Sequence, residues 1–439
     1  MADPENPRSF GSRAALAVVI ANMIGTGVFT SLGFQLLDIQ SGFAILVLWG
    51  LGGLAALCGA LCYGELGAAL PRSGGEYNFL GQVYHPAAGF ISGWISATVG
   101  FAAPVALVAV TFAAYLSAAL PGIPKTPVAV ALIVALALAH SRSHEASGAV
   151  QWWATAVKLG LIALFCLATL LLVEAPQPIN FLPRTGDWEL VLSAPFAVSL
   201  IYVNYAYTGW NAATYVTGEL RDPQRVLPLI LIIGTSVVAA VYLALNSAFL
   251  HAAPVDALAG KIEIGYIAAE YVFGGIGAKL MAVVLAALLI STVSAMTLAG
   301  PRVLQMLGQD YAVLGWLARE NRNGIPAMAV FTQSTLAVLL VITSTFESIL
   351  VFTGFILGLN TLVTVLGVAV LRLRQPDLPR PFRVPWYPLP MLIYSAITLW
   401  TLVHIALNKQ VEALVALAIL GAGGLLYLLT PRSSPSTHP

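Results

Sequence analysis

The chain has 439 residues, 59% hydrophobic and 9% charged, with a formal net charge of +1. Soluble domains carry about 25% charged residues, so this composition cannot cover a water-facing globule. The near-neutral balance gives no basic footprint for nucleic acid, and no such partner is expected.

Twelve apolar runs lie near residues 12–38, 42–69, 86–117, 127–140, 149–173, 190–218, 228–252, 279–307, 326–344, 347–373, 387–406 and 411–430. Crossing a bilayer takes about 20 residues of helix. Helix is forced on such runs, because a backbone in hydrocarbon must satisfy its own hydrogen bonds. The expected fold is an all-α polytopic membrane protein with 12 transmembrane helices in a single domain, 1–439. The fourth run is short and needs its flanks to reach across. No alternating ten-residue segments suggest a β-barrel. The first apolar run continues into a full span, so no signal peptide is expected.

The first run contains Ile24-Gly25-Thr26-Gly27-Val28-Phe29. Each glycine weakens a helix by about 1 kcal/mol relative to alanine. Small residues here also suit close helix packing. The second run carries Glu65, near its inner end. The simpler reading pairs Glu65 with loop arginines; the other makes it a functional carboxylate. The fifth run carries Lys158, about 14 Å along its helix and close to mid-membrane. An ammonium there costs at least about 2.5–3.5 kcal/mol, which marks it as a functional candidate. Its simpler reading is a structural pin on backbone carbonyls.

The sixth run holds Tyr205-Ala206-Tyr207-Thr208-Gly209-Trp210-Asn211, a polar, aromatic stretch in mid-span. Thr26 and Thr208 open two successive groups of five helices, and five is odd, so the second group is inverted. Paired interruptions at corresponding positions point to a transporter binding site. Amides at the start of a second half-helix favour a carboxylate, and carbonyls at the end of a first half favour an ammonium. An α-amino acid has both groups. Its carboxylate is expected near Thr26 and Gly27, and its ammonium near the carbonyls of Tyr205, Ala206 and Thr208.

Fourteen Lys and Arg residues fall on one set of loops, from Arg8 and Arg13 to Arg432, and four on the other: Lys125, Arg184, Lys261 and Lys409. The bias places both termini in the cytoplasm. Cys58, Cys62 and Cys166 all lie in apolar runs, which argues against a disulfide framework. The six histidines form no metal-ligand spacing. No nucleophile elbow or P-loop occurs, and neither cofactor nor metal is expected. Lys158 and Glu65 lie at distant levels of the membrane, so a membrane-embedded enzyme is disfavoured.

Five segments resemble the amino acid–polyamine–organocation superfamily, within it the L-type amino acid transporter branch and its bacterial relatives. These are Asn22 to Phe29; Pro71-Arg72-Ser73-Gly74-Gly75-Glu76-Tyr77; the sixth-run stretch continuing to Val216-Thr217-Gly218-Glu219-Leu220-Arg221-Asp222-Pro223; Pro301-Arg302 with Gly308-Gln309-Asp310; and Pro381 to Pro388. The resemblance implies a five-plus-five inverted repeat of the LeuT type with broken helices 1 and 6, worked by alternating access. Its repeats would be 12–173 and 190–373, with 387–430 forming helices 11 and 12. Ile24, Gly25, Thr26, Gly27, Tyr205, Ala206 and Thr208 would bind substrate, with Tyr205 at the family's aromatic gate position. Lys158 matches the helix 5 lysine of sodium-independent members, which bridges helices 1 and 8. Thr292 and Ser294 are its expected hydroxyl partners.

Thr208 stands where many L-type members have Gly and would narrow the pocket. The outer loop, about 117–126, lacks the cysteine by which animal members link a heavy-chain partner, so no disulfide-linked heavy chain is expected. The function expected is sodium-independent transport of small neutral L-amino acids across the cell (inner) membrane, as an exchanger or facilitator. The alternative is proton-coupled symport, with a buried lysine handling the proton.

Overall fold

The computed structural model describes residues 11–142, 148–174 and 176–430. The first three apolar runs become α1 (Ser12–Met23) and α2 (Gly27–Gln35), then α3 (Gly42–Ala69), then α5 (Pro86–Ile95) and α6 (Ala102–Ala119) after a short α4 (Gly75–Val83). There follow α7 (Lys125–His140), α8 (Gly148–Leu172), α9 (Asp187–Val191), α10 (Ala194–Tyr207), α11 (Pro223–Ala252), α12 (Val255–Leu258) and α13 (Ile264–Asp310). The chain ends in α14 (Ala327–Thr343), α15 (Phe346–Arg374), α16 (Leu389–Asn408) and α17 (Gln410–Leu429). No strand occurs among the described residues.

Local chemistry sets several boundaries. Ser41, Ser193 and Thr345 cap α3, α10 and α15 by accepting the amides of Ala44, Phe196 and Ser348. Such caps satisfy donors that a helix start leaves unpaired. The loop before α4 turns on Gly74 and Gly75, at φ 118° and 53°.

Among the described residues, nine helices, counting α1 with α2 and α5 with α6, are long and apolar enough to cross a membrane. Lys125–His140 and Ala327–Thr343 are apolar but shorter. On α17, Val411, Leu414, Leu425, Leu428 and Leu429 are all exposed. Apolar surface on this scale is what a bilayer covers.

The sixth run is interrupted where the sequence reading placed its break: α10 stops at Tyr207, and a 3-10 segment, Ala212–Glu219, comes after an unwound stretch. Two other runs depart from the sequence reading. The eighth extends well beyond 279–307, and its two helical parts join at Gly274, whose φ of 72° and ψ of 178° lie outside helix. The third contains a π turn at Ser96–Gly100, where the Phe101 amide reaches back five residues to the Ser96 carbonyl.

Candidate functional site

The first span breaks between Met23 and Gly27. Ile24 leaves helical geometry at ψ 74°, and α2 restarts with no side-chain cap on its first amides. The Phe29 amide closes on the Thr26 carbonyl at 2.9 Å, while those of Gly27 and Val28 have no preceding turn to bond and are left as donors at the break. The sixth span breaks at Thr208, whose ψ is 147°, and at Gly209, whose φ of 99° suits glycine. The Thr208 amide and hydroxyl both donate to the Tyr205 carbonyl, at 3.0 and 2.6 Å. A carbonyl has two lone pairs, and Thr208 uses both of Tyr205's, while the Ala206 carbonyl accepts one hydroxyl, that of Tyr242, at 3.0 Å.

The two breaks are packed on each other. A Cβ on Gly27 would lie 2.4 Å from the Ala206 Cα, and one on Gly209 would lie 2.8 Å from the Asn22 carbonyl carbon. Both glycines are therefore required by close approach as well as by helix weakness. The side chains of Tyr205 and Thr26 lie near each other at this junction. Tyr242 of α11 ties the breaks together, its hydroxyl lying 2.5 Å from the Met23 carbonyl oxygen and 3.0 Å from that of Ala206. Sequence reasoning missed Tyr242, because one tyrosine in an apolar helix reads as core.

A cavity of about 380 Å³ lies against this junction. Gly25, Thr26, Gly27, Tyr205, Ala206 and Thr208 all line it, and it extends to Ser73 and the exposed Arg302. Its wall includes Ser96 and Gly100 of the π turn, a feature that recurs at functional sites. The end of α2 away from the break is packed by aromatic rings. The Phe34 ring stacks on Tyr202 and on Phe346, with centroids 5.7 and 5.6 Å apart. Tyr202 and Lys409 both donate to Glu347 Oε1, at 2.9 and 2.8 Å.

Lys158 is 5% exposed and donates to Thr292 Oγ1 at 2.7 Å. With Ile24 and Gly25 it lines a small cavity of about 30 Å³, so α8 meets both the first break and α13 at this ammonium. Ser294 is not brought to Lys158; it bonds His140 Nε2 at 2.8 Å. Two residues turn a helix by about 200°, so Thr292 and Ser294 cannot share a face.

Glu65 takes its simpler reading. Arg372 donates to both its oxygens, at 2.8 and 2.6 Å, the Val384 amide adds a bond of 2.7 Å, and Arg380 Nε lies 3.7 Å away. Removing one partner of a buried pair costs about 3–5 kcal/mol. Arg372 keeps some water contact, so Glu65→Ala is expected to destabilise the protein by about 3 kcal/mol, the low end of that range. Thermal unfolding of the detergent-purified variant checks this.

Nine membrane-length apolar helices among the described residues, with a cavity walled by two broken helices, define a multi-pass membrane protein of the transporter class. The amino acid permease family matches residues 10–425, and the chain belongs to that family. It is 27% identical to the b(0,+)-type amino acid transporter 1 of Homo sapiens over 431 residues, covering 96% of this chain and 88% of that protein. It is 29% identical to the large neutral amino acids transporter small subunit 2 of Mus musculus over 450 residues, covering 96% and 81%.

Proposed function

We propose that this chain carries small neutral L-amino acids across the cell (inner) membrane by alternating access, without sodium, as an exchanger or facilitator. The observation that carries the reading is the meeting of two broken helices on the wall of one cavity. Amides opening α2 suit a carboxylate, and the Ala206 and Thr208 carbonyls suit an ammonium. The relatives' names agree with amino acid cargo.

In this reading the twelve runs are twelve spans. The repeats 12–173 and 190–373 are inverted copies, and 387–430 adds helices 11 and 12. Both termini are cytoplasmic, and the cavity faces inward. Tyr205 gates the bound substrate, and Lys158 couples the first break to α8 and α13. The segment 117–126 has no cysteine, so the protein works without a disulfide-linked heavy chain.

Thr208 sets cargo size. Behind it lies a second cavity of about 50 Å³, which shares Tyr205, Thr208, Trp210, Leu357 and Thr361 with the main one. Thr208→Gly joins the two. The half-saturation concentration for leucine is expected to fall about tenfold, the scale of one added methylene group in a pocket. Competition by unlabelled leucine against labelled alanine measures it.

The function is tested by uptake of labelled alanine, serine and threonine into proteoliposomes, with sodium or with choline. Saturable uptake, equal in both salts, is expected. Uptake driven by an imposed pH gradient without internal amino acid moves the reading to proton symport. Absence of saturable uptake for every α-amino acid tested sinks it.

A further inference from the structure

We propose that Glu76 is a positioning residue that holds the post-break half of the sixth span, and with it one wall of the cavity, against α3 and the start of α4. Its role as a readout of cargo binding rests on the function proposed above.

The glycines before Glu76 bring its helix close to that half. A Cβ on Gly75 would lie 2.8 Å from the Tyr215 ring, so only a bare backbone fits there. Glu76 is the second residue of α4 and is 1% exposed. Its carboxylate collects three donors from three places. Tyr63 of α3 donates to Oε1 at 2.9 Å, Asn211 of the unwound stretch to Oε1 at 2.5 Å, and Tyr215 of the 3-10 segment to Oε2 at 2.5 Å.

Among the described residues, none of the Lys or Arg ion pairs involves Glu76. A buried carboxylate held by neutral donors is expensive unless those bonds are all made. The segment it holds has no helix of its own to support it, since the backbone between Tyr207 and Ala212 is not helical. Asn211 in turn anchors the start of the 3-10 segment, because its carbonyl accepts the Thr214 amide at 2.9 Å and the Thr214 hydroxyl at 2.7 Å. Glu76, Asn211 and Tyr215 all line the main cavity, as do Thr208 and Gly209.

The next residue along α4 reaches the other way. The Tyr77 hydroxyl bonds Asp310 at the end of α13. One turn of α4 is thus fastened to the sixth span by Glu76 and to α13 by Tyr77. A shift of the post-break half must be felt by α4, and a loosened Glu76 must loosen the cavity wall at Asn211.

The test compares wild type, Glu76→Gln, Tyr215→Phe and the double variant in proteoliposomes. Labelled alanine counterflow gives half-saturation and maximal rate for each, and detergent melting reports on folding. Glutamine fills the same space but replaces one acceptor oxygen by a donor group. Half-saturation is expected to rise about tenfold in Glu76→Gln, about 1.4 kcal/mol of positioning, with the maximal rate within about twofold. The double variant should be no worse than Glu76→Gln, as residues acting through one bond are not additive.

A second arm needs no cargo. In a protein whose three native cysteines are replaced by alanine, Ala212→Cys reports on the wall through its rate of thiol labelling. That rate is expected to rise at least fivefold with Glu76→Gln. If Glu76→Gln does not fold, Tyr215→Phe carries both arms, with an expected threefold change in each. Unchanged half-saturation and labelling in folded variants overturn the proposal, as does a lowered melting temperature without either change. Failure of wild-type alanine counterflow counts against the function reading and leaves the labelling arm to decide on Glu76.

Discussion

Gly27→Ala is expected to lower alanine transport by about 5- to 150-fold. The added Cβ would lie 2.4 Å from the Ala206 Cα and 2.6 Å from the Ala206 Cβ, contacts that can be relieved only by moving backbone. Overpacking of this kind costs about 1–3 kcal/mol, and each 1.4 kcal/mol is about tenfold in an equilibrium. Any state in which the two breaks touch carries that penalty, and the amides that open α2 move with it. Gly25→Ala is the informative contrast. Its Cβ meets no atom within 4 Å, yet Gly25 lines the cavity. It is expected to keep wild-type melting while weakening cargo binding. Paired melting and uptake measurements separate the two; equal transport in Gly27→Ala and wild type contradicts the close contact of the breaks.

Lys158→Ala is expected to change the apparent cargo affinities on the two sides of the membrane unequally. The ammonium ties α8 to Thr292 of α13 and sits beside Ile24 and Gly25 of the first break. A hydrogen bond to a charged group is worth about 1.5–3 kcal/mol. Losing it from one state alone shifts the balance of states by about 10- to 150-fold. Alanine brings no oxygen, so sodium should still not be required. Affinities measured separately from each side of oriented proteoliposomes check this. Unchanged affinities and rate reduce Lys158 to a structural pin.

Much of the architecture is legible along the chain. Apolar length marks the spans, and glycine beside a polar residue in mid-span marks both breaks. Pairing across the fold is hidden. Nothing local to Tyr242 says that it will meet Met23 and Ala206, two residues on different broken helices. Glu76 sits in a motif that reads as a loop, and its three donors come from positions 63, 211 and 215. The π turn at Ser96–Gly100 precedes Pro104, but an apolar run gives no sign of one extra residue in a turn. Thr292 and Ser294 both look suited to Lys158 until helical phase is considered. The kink at Gly274 lies ahead of the apolar run near 279–307, so the run itself carries no sign of it.

The central claim is that the two breaks hold the two charged ends of one α-amino acid. It is tested most directly by competition against labelled alanine counterflow, using alanine, alanine methyl ester and propionate. The ester lacks the carboxylate and propionate lacks the ammonium. Alanine is expected to compete fully, and each of the other two at least about 100-fold more weakly, the loss of one or more charge-assisted hydrogen bonds. Equal competition by the ester or by propionate contradicts the account.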